Sequence, residues 1–442
     1  MTYAANRRTF LRVAAATALA PTLGTRGAHA QSPSKATSIT MVINQSPWFD
    51  GFRQLVEQYQ KETGSHIELD VNPYAGALDK IRNSLRAGSG SYDLLAIDNN
   101  WMVEFFDGGF LAPLTELDRN FRLDPQVSTY GGTIYWNDKL RTFDPHGGKL
   151  MGVPVNGNVE VFYYRKDLYD QHGLKVPETW DEVLANAQRL NDGSRIYGFV
   201  HRDDRDSALA DFANYLFSFG GDIFKDAPAG DFTVTLNSPA ARRALDFYLK
   251  LGKAGGYPTP GSVSQGNLIQ LMATGKAAQS VAIVGAWAQL EDPNKSKVVG
   301  KVGYGVIPPG PKAQRSPLFG DGVGISQSSK KKEAGWLYCQ WATSKMMAQR
   351  QVEGAYGAPG RSSAYKSAMS SSNLKAPKEW LECMIETIKI ARAGLPDIVA
   401  VTEFRDTYGV ALTNMITGAD PETELKKATE AFRPVLIKTE KG

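Results

Sequence analysis

The chain has two cysteines in 442 residues, five histidines and almost no net charge once its first thirty positions are set aside. Each scarcity removes a class of function. Cys339 and Cys383 sit in apolar helical patterns and no CxxC occurs, so a disulfide framework is excluded. One bridge is compatible with a compartment outside the cytoplasm, but two buried free thiols suit a chain with a large core better. The histidines are scattered and no HExxH is present, which argues against a structural or catalytic metal, and no cofactor is implied. Net charge is +4, from 50 basic and 46 acidic residues. Arg7, Arg8, Arg12 and Arg26 lie in the first thirty positions, which hold no acid, so 46 basic residues (50 − 4) face 46 acids in the remainder. A neutral chain lacks the basic footprint of a nucleic-acid binder. No later stretch approaches ~20 uninterrupted apolar residues, the length of a membrane-spanning helix. There is no internal repeat, and Ser367–Ser372 is the only low-complexity patch.

Residues 1–30 read as an export signal, with Arg7-Arg8-Thr9-Phe10-Leu11, an apolar Val13–Ala20 run and a small-x-small site at Ala28-His29-Ala30. The paired arginines before Phe-Leu point to a twin-arginine signal cleaved after Ala30 and to a periplasmic location.

The stretch His66–Trp101 organises the rest of the chain. Ile67, Leu69 and Val71 alternate with polar residues, as in a half-buried strand, and Asn72-Pro73 stops it. Leu78, Ile81 and Leu85 fall at helical spacing up to Gly88. Leu94–Ile97 is a short apolar run, as in a strand buried on both faces, and it ends abruptly in Asp98-Asn99-Asn100-Trp101. Ligands of open α/β sheets sit outside the carboxyl ends of strands. An acid, two amides and an indole there suit a neutral polyhydroxylated ligand. Upstream, Ser38–Ile43 reads as the first strand, and Phe52, Leu55, Val56 and Tyr59 as one face of a helix; downstream, Trp101–Asp107 reads as another. Thr179-Trp180-Asp181-Glu182 is a capping box for a helix to Leu190, and Ser238-Pro239 opens one over Ala240–Lys253. Gln279–Val284 reads as a buried strand, left by Gly285-Ala286-Trp287, and Gly305–Pro311 as a linker.

The blocks FDGFRQLVEQYQKETG, YDLLAIDNNWMVEFFDGGFLAPLTEL, GKLMGVPVNGNVEVFYYRKDLYDQHGLKVPETWDEV, LIQLMATGKAAQSVAIVGAWAQL, GYGVIPPGP and FGDGVGISQSSKKKEAGWLYCQWATS resemble, in this order and spacing, the extracellular solute-binding family that serves ABC importers of carbohydrates. The resemblance implies an α/β, two-lobed, periplasmic-binding-protein type II fold. Each lobe would be a mixed, mostly parallel sheet flanked by helices, with a hinge between lobes. It implies one lobe from residues 38–153 plus 306–357 and another from 154–305 plus 358–442. It also implies a non-enzymatic monomer that closes on a small carbohydrate or sugar alcohol and delivers it to ABC permease transmembrane subunits.

Eleven residues form the expected ligand set: Asn44, Trp48, Asp98, Asn99, Asn100, Trp101, Asn156, Trp287, Asp321, Tyr356 and Arg361. Trp48, Trp101 and Trp287 each follow a strand-like run and suit stacking on sugar; the resemblance places a ligand-facing aromatic at Trp287, whereas Trp101 could equally pack inward. One of Asp98, Asn99 and Asn100 is expected to cap a helix, leaving the others for hydroxyls. Asn156 and Asn158 flank Gly157 at the first expected lobe crossing, where turn chemistry is the alternative. Asp321 lies in Phe319-Gly320-Asp321-Gly322-Val323-Gly324, too weak a match to a dinucleotide loop, since no helix opens directly after it. Tyr356 and Arg361 bracket a Gly/Pro turn, where Arg361 grips ligand oxygens or makes an inter-lobe ion pair. Tyr163-Tyr164 is a structural pair, not a ferric site. The rivals are a secreted glycoside hydrolase, which needs facing carboxylates, and the same fold holding an oligosaccharide, polyamine, peptide or glycerol-phosphate-type ligand. Polar groups outnumbering aromatic platforms favour a monosaccharide or short sugar alcohol.

Overall fold

The computed structural model describes residues 37–46, 49–128, 134–227, 230–354 and 356–440. The export signal and Trp48 lie outside the described residues. The N-terminal third alternates strand and helix: β1 (Ser38–Asn44), α1 (Phe49–Thr63), β2 (His66–Asn72), α2 (Tyr74–Ala87), β3 (Leu94–Asp98) and α3 (Asn99–Asp107). β1 lies between β2 and β3, and all three are parallel, as helical crossovers require. The apolar spacing does the positioning. Phe52, Leu55, Val56 and Tyr59 of α1, and Leu78 and Ile81 of α2, are the buried faces. Gly88 closes α2 in the left-handed region, φ 57°. A short helix α4 (Leu114–Leu117) and the small strands β4 (Tyr135–Asn137), β5 (Thr142–Phe143) and β6 (Lys149–Leu150) come next.

The long strand β7 (Val153–Arg165) then carries the chain into a second body. This holds α5 (Lys166–His172), α6 (Trp180–Leu190), α7 (Ala208–Ser218), β8 (Phe224–Asp226), β9 (Asp231–Val234), α8 (Pro239–Gly255), α9 (Gln265–Ala273), β10 (Gln279–Ile283), α10 (Trp287–Leu290) and β11 (Val302–Gly305). Strand β12 (Ser316–Ile325) returns; α11 (Lys332–Ala342), α12 (Lys345–Gly354), α13 (Ser362–Met369), α14 (Lys378–Lys389), β13 (Ala391–Ala393), α15 (Val401–Ile416) and α16 (Pro421–Glu440) complete the chain. The expected caps are present: Thr179 accepts from the Glu182 N–H at the start of α6, and Ser238 from that of Ala241 at the start of α8.

The cores show how the lobes divide. One core gathers Ile39–Val155 residues with Val323, Ile325 and Trp336. The second body has two large ones, on opposite faces of its sheet, and a small one around Leu168 and Tyr169: Phe162 points into one of the large cores and Val161 and Tyr163 into the other. Along β7, Val155 belongs to the first lobe and Val159 to the second; along β12, Leu318 packs in the second and Val323 in the first. The chain therefore changes lobes at 156–158 and at 319–322. A third passage lies within α12, where Met347 is in the first core and Ala348 and Val352 in a second-lobe one. The Pro/Gly-rich stretch expected as a linker does not cross: Ile307 is fully buried in the second lobe.

One mixed sheet of eight strands runs through both lobes in the order β10-β7-β12-β3-β1-β2, with β11 on β7 and β13 on β12. In the second lobe β10, β11 and β12 all pair antiparallel with β7, so the mostly parallel pairing expected of each lobe is concentrated in the first. For β12 the reason is the crossing itself, since β7 leaves the first lobe and β12 re-enters it, so the two hinge strands run in opposite directions. Cys339 and Cys383 are free and buried, and burial pushes both thiols up to about 12.

Candidate functional site

Where β3 ends, the first lobe presents Asp98. Its carboxylate accepts from the Asn100 N–H at 2.8 Å and caps α3, which begins two residues earlier than the sequence pattern indicates. That early start turns Trp101 inward: it is 1% exposed, 4.6 Å from the Tyr74 ring centroid and packed near Phe105. Trp101 therefore supports Tyr74 from the core and does not present its face to the cleft. Asn100 Nδ2 donates to the Tyr74 hydroxyl at 3.3 Å.

Antiparallel pairing sets Asp321 directly opposite Asp98 and, on its other side, opposite Asn156. Directly opposed residues project from the same sheet face, about 4.5–5.5 Å apart at Cβ. Asn156 and Asn158, two apart on β7, share that face, and both donate from Nδ2 to Asp321 Oδ2 at 3.0 Å. Asn156 Oδ1 accepts from the Ala358 N–H at 2.8 Å. From the second lobe, Arg405 of α15 lies 5.0 Å over the Tyr74 ring and donates from Nε to the Asp206 carbonyl at 2.8 Å. A Cβ on Gly285, just before α10, would stand 4.0 Å from Asn158 Oδ1, so the loop entering Trp287 reaches the same place.

This enclosure has an electrostatic consequence. Burial pushes Asp98 up to about 6, against the Asn100 N–H, the Arg405 guanidinium and the Tyr74 hydroxyl, which favour its charge. Asp321 is held well above the ordinary carboxylate range, first by burial and then by the neighbouring Asp98, with Asn156 opposing. Burial, then Asp98, raises the Tyr74 phenol. Asp98 and Tyr74 are surrounded by protein yet only half-buried in exposure, as befits groups at the bottom of a cleft. Three amide oxygens on the elements that carry the cluster, Asn99 Oδ1 and Asn100 Oδ1 of α3 and Asn158 Oδ1 of β7, are buried without a partner among the described residues. Each is an acceptor awaiting a donor.

The polar face of β7 continues to Glu160, which is paired with Arg202 and takes a bond from Asn214 Nδ2 at 3.1 Å. Arg202 faces Asp211 at 3.8 Å, and Asp211 holds His201 Nδ1 at 2.9 Å. The opposite face of the hinge strands is different. Gly157, Val159 and Leu318 line a groove of about 1510 Å³ with Trp136, Phe217 and Arg392. None of the ten expected residues that are described lines it.

The remaining expected residues scatter. Asn44 is buried at the carboxyl end of β1, in register with Asn72. Trp287 is 6% exposed, its ring 5.3 Å from that of Trp380. Tyr356 is half-buried between Gly51 and Lys375, whose Nζ is 5.2 Å above its ring. Arg361 is not with the cluster. It is 4% exposed, paired with Asp124 at 2.7 Å and donating to the Thr343 carbonyl, the inter-lobe ion pair of its two readings. Sequence reasoning missed Tyr74, Arg405, Glu160 and Arg202. Of these only Arg202 carried a signal, in the charged run His201-Arg202-Asp203-Asp204 after apolar Phe199-Val200.

The sequence profile for bacterial extracellular solute-binding proteins matches residues 44–349. A mannitol-binding protein of Pseudomonas aeruginosa is 28% identical over 65% of both chains. An erythritol/L-threitol-binding protein of Mycolicibacterium smegmatis is 22% identical over 89% of this chain and 85% of its own. A probable amino-acid ABC transporter periplasmic-binding protein of Sinorhizobium fredii is 25% identical over 72% and 71%. Among solved structures, an ABC transporter solute-binding protein of Agrobacterium radiobacter in complex with ribitol superposes with a TM-score of 0.76 at 25% identity, covering 90% of this chain and 98% of that one.

Proposed function

Since the chain belongs to the bacterial extracellular solute-binding protein family, and its relatives are substrate-binding proteins of ABC transporters and not enzymes, we propose that it captures a small neutral polyol or monosaccharide and delivers it to an ABC permease. The observation that carries this is the trio of buried, unpartnered amide oxygens on Asn99 and Asn100 of α3 and Asn158 of β7. A ligand with a hydroxyl on every carbon supplies the donors these acceptors require, and flexible alditols present no ring face that would demand an exposed aromatic. The proposed contacts are Asp98, Asn99, Asn100, Asn158, Asp321, Tyr74 and Arg405, with Asn156 holding Asp321 and Trp101 behind Tyr74; Asn44, Trp48, Trp287 and Tyr356 are proposed as further contacts. Hinge closure is proposed to act through β7, β12 and α12.

The acid pair weighs against the rivals. A glycosidase needs its two carboxyls flanking the scissile bond, whereas Asp98 and Asp321 stand side by side on one sheet face. An amino-acid carboxylate or a phosphate would meet both acids, with Arg405 alone to offset them. A thermal-shift screen of the mature protein against ribitol, erythritol, mannitol, hexoses and maltotriose tests the reading, because a ligand of the native state alone raises Tm. A rise with an alditol or hexose is expected; a rise with maltotriose alone overturns it. Export through Arg7-Arg8, cleavage after Ala30, a periplasmic location and a monomeric state complete the proposal. Replacing both arginines by lysine is expected to leave precursor in the cytoplasm, and normal export of that variant would remove the twin-arginine reading.

A further inference from the structure

Asp98 and Asp321 make an unusual floor for a site that takes neutral ligands. Their strands pair them directly. Two amides, Asn156 Nδ2 and Asn158 Nδ2, converge on one oxygen of Asp321, and its other oxygen accepts no bond within the described residues. One oxygen of Asp98 is taken by the Asn100 N–H. Asp321 thus keeps one oxygen outside these bonds, while the Tyr74 hydroxyl and the Asn100 side chain also act on Asp98. The groups packed around them come from every side: Asn99 and Asn100 from α3, Tyr74 from α2, Asn156 and Asn158 from β7, and Arg405 from α15. Among the described residues Arg405 is the cation that acts on the pair, through Asp98. Glu403 of the same helix acts instead on Arg82, which is paired with Glu104.

Two adjacent carboxylates enclosed with one guanidinium carry one negative charge too many. Like charges this close do not both ionise, and the pair titrates as a unit. We propose that Asp98 and Asp321 hold a single proton between them at neutral pH, and that this shared proton determines specificity by offering a ligand diol one donor and one acceptor while refusing anionic ligands. With one proton the pair has charge −1 and Arg405 balances it. Burial and the neighbouring Asp98 both favour the protonated form of Asp321, so the proton, and affinity with it, is lost as pH rises.

The inference rests on the polyol reading, and the experiment separates the two. Calorimetry with ribitol, and with erythritol and mannitol in parallel, compares wild type and Asp321→Asn at pH 7 and pH 9.5. In the variant the new Oδ1 can accept from Asn156 and Asn158 while Nδ2 replaces the shared proton as a permanent donor. Wild-type affinity is expected to fall at least about tenfold between the two pH values, while the variant, whatever its affinity at pH 7, loses nothing between pH 7 and pH 9.5. Asp98→Asn, which keeps an N-cap residue, serves if Asp321→Asn does not fold, with the same outcome expected. Alditol binding that is flat to pH 9.5 in the wild type overturns the shared proton and leaves the polyol reading standing. So does a variant whose affinity falls between pH 7 and pH 9.5 as steeply as that of the wild type. Absence of binding to every alditol and hexose at pH 7 overturns both.

Discussion

The two faces of the hinge strands differ in kind. On one face Asn156, Asn158 and Glu160 of β7 stand with Asp321 of β12 in a tight arrangement of amides and acids. On the other, Gly157, Val159 and Leu318 form the wall of a groove of about 1510 Å³. Room and chemistry are on opposite sides. The groove is lined by aliphatic and aromatic side chains, Trp136, Phe217 and Phe224 among them, with a rim of exposed charges. The polar face holds groups that are buried and still incompletely bonded, and such groups are costly unless something completes them. The difference is why the unsatisfied polar set, and not the larger volume, is the proposed site, and it can be tested one face at a time.

The largest effect is expected deep in the polar face. Arg202 is the cation between Glu160 and Asp211, and all three are buried. Arg202→Ala leaves two acids without it, and breaking such a buried pair costs about 3–5 kcal/mol. Urea denaturation should show that loss; a loss below about 1 kcal/mol would mean that the network is dispensable and that the polar face is not held rigid by it.

Asn158→Ala comes next. It removes one donor to Asp321 and one unpartnered oxygen. Affinity for the best alditol should fall by about 1–3 kcal/mol, the cost of an unsatisfied buried polar group, with Tm changed little. Trp287 sharpens the same point. Because it packs on Trp380 in a second-lobe core, Trp287→Ala should lose about 3–5 kcal/mol of stability along with binding, and Trp287→Phe should recover most of the stability. A cooperative melt at the wild-type temperature for Trp287→Ala would show that the indole is a rim group.

How much of this was legible depends on the range of each cause. Asp98 was readable because its signal is local: an apolar run ends and polar chemistry begins at the carboxyl end of a strand. The caps at Thr179 and Ser238 are local in the same sense. Trp101 was ambiguous because a two-residue shift in the start of α3 decides which way the indole turns, and local patterning does not resolve helix starts that finely. Asn156-Gly157-Asn158 carries the same residues a turn would; only the pairing of β7 with β12, more than 150 residues away, makes it a strand with two amides on one face. Arg405 meets Tyr74 across more than 300 residues, and the Arg361–Asp124 pair spans 237. Nothing near any of these in sequence marks its partner.

The smallest effect is expected on the roomy face, and it is the strictest test of the comparison. Arg392 and Asp222 both line the groove and form an ion pair at 3.1 Å, with side chains 39% and 49% exposed. Pairs this exposed are screened by solvent and contribute about 0–1 kcal/mol. Arg392 also lies over the Phe217 ring at 3.8 Å, a contact that survives removal of its acid partner. Asp222→Ala should therefore leave stability within about 1 kcal/mol of wild type and leave alditol affinity unchanged. The two readouts separate two ideas. A change in stability alone would concern only the ion pair. A change in affinity would mean that the groove face moves when ligand is captured, since Asp222 lies across the sheet from Asp98 and Asp321 and can reach the ligand only by shifting the balance between open and closed lobes. In that case the groove is the far side of the hinge motion, and the division of the two faces into one that binds and one that does not would have to be given up.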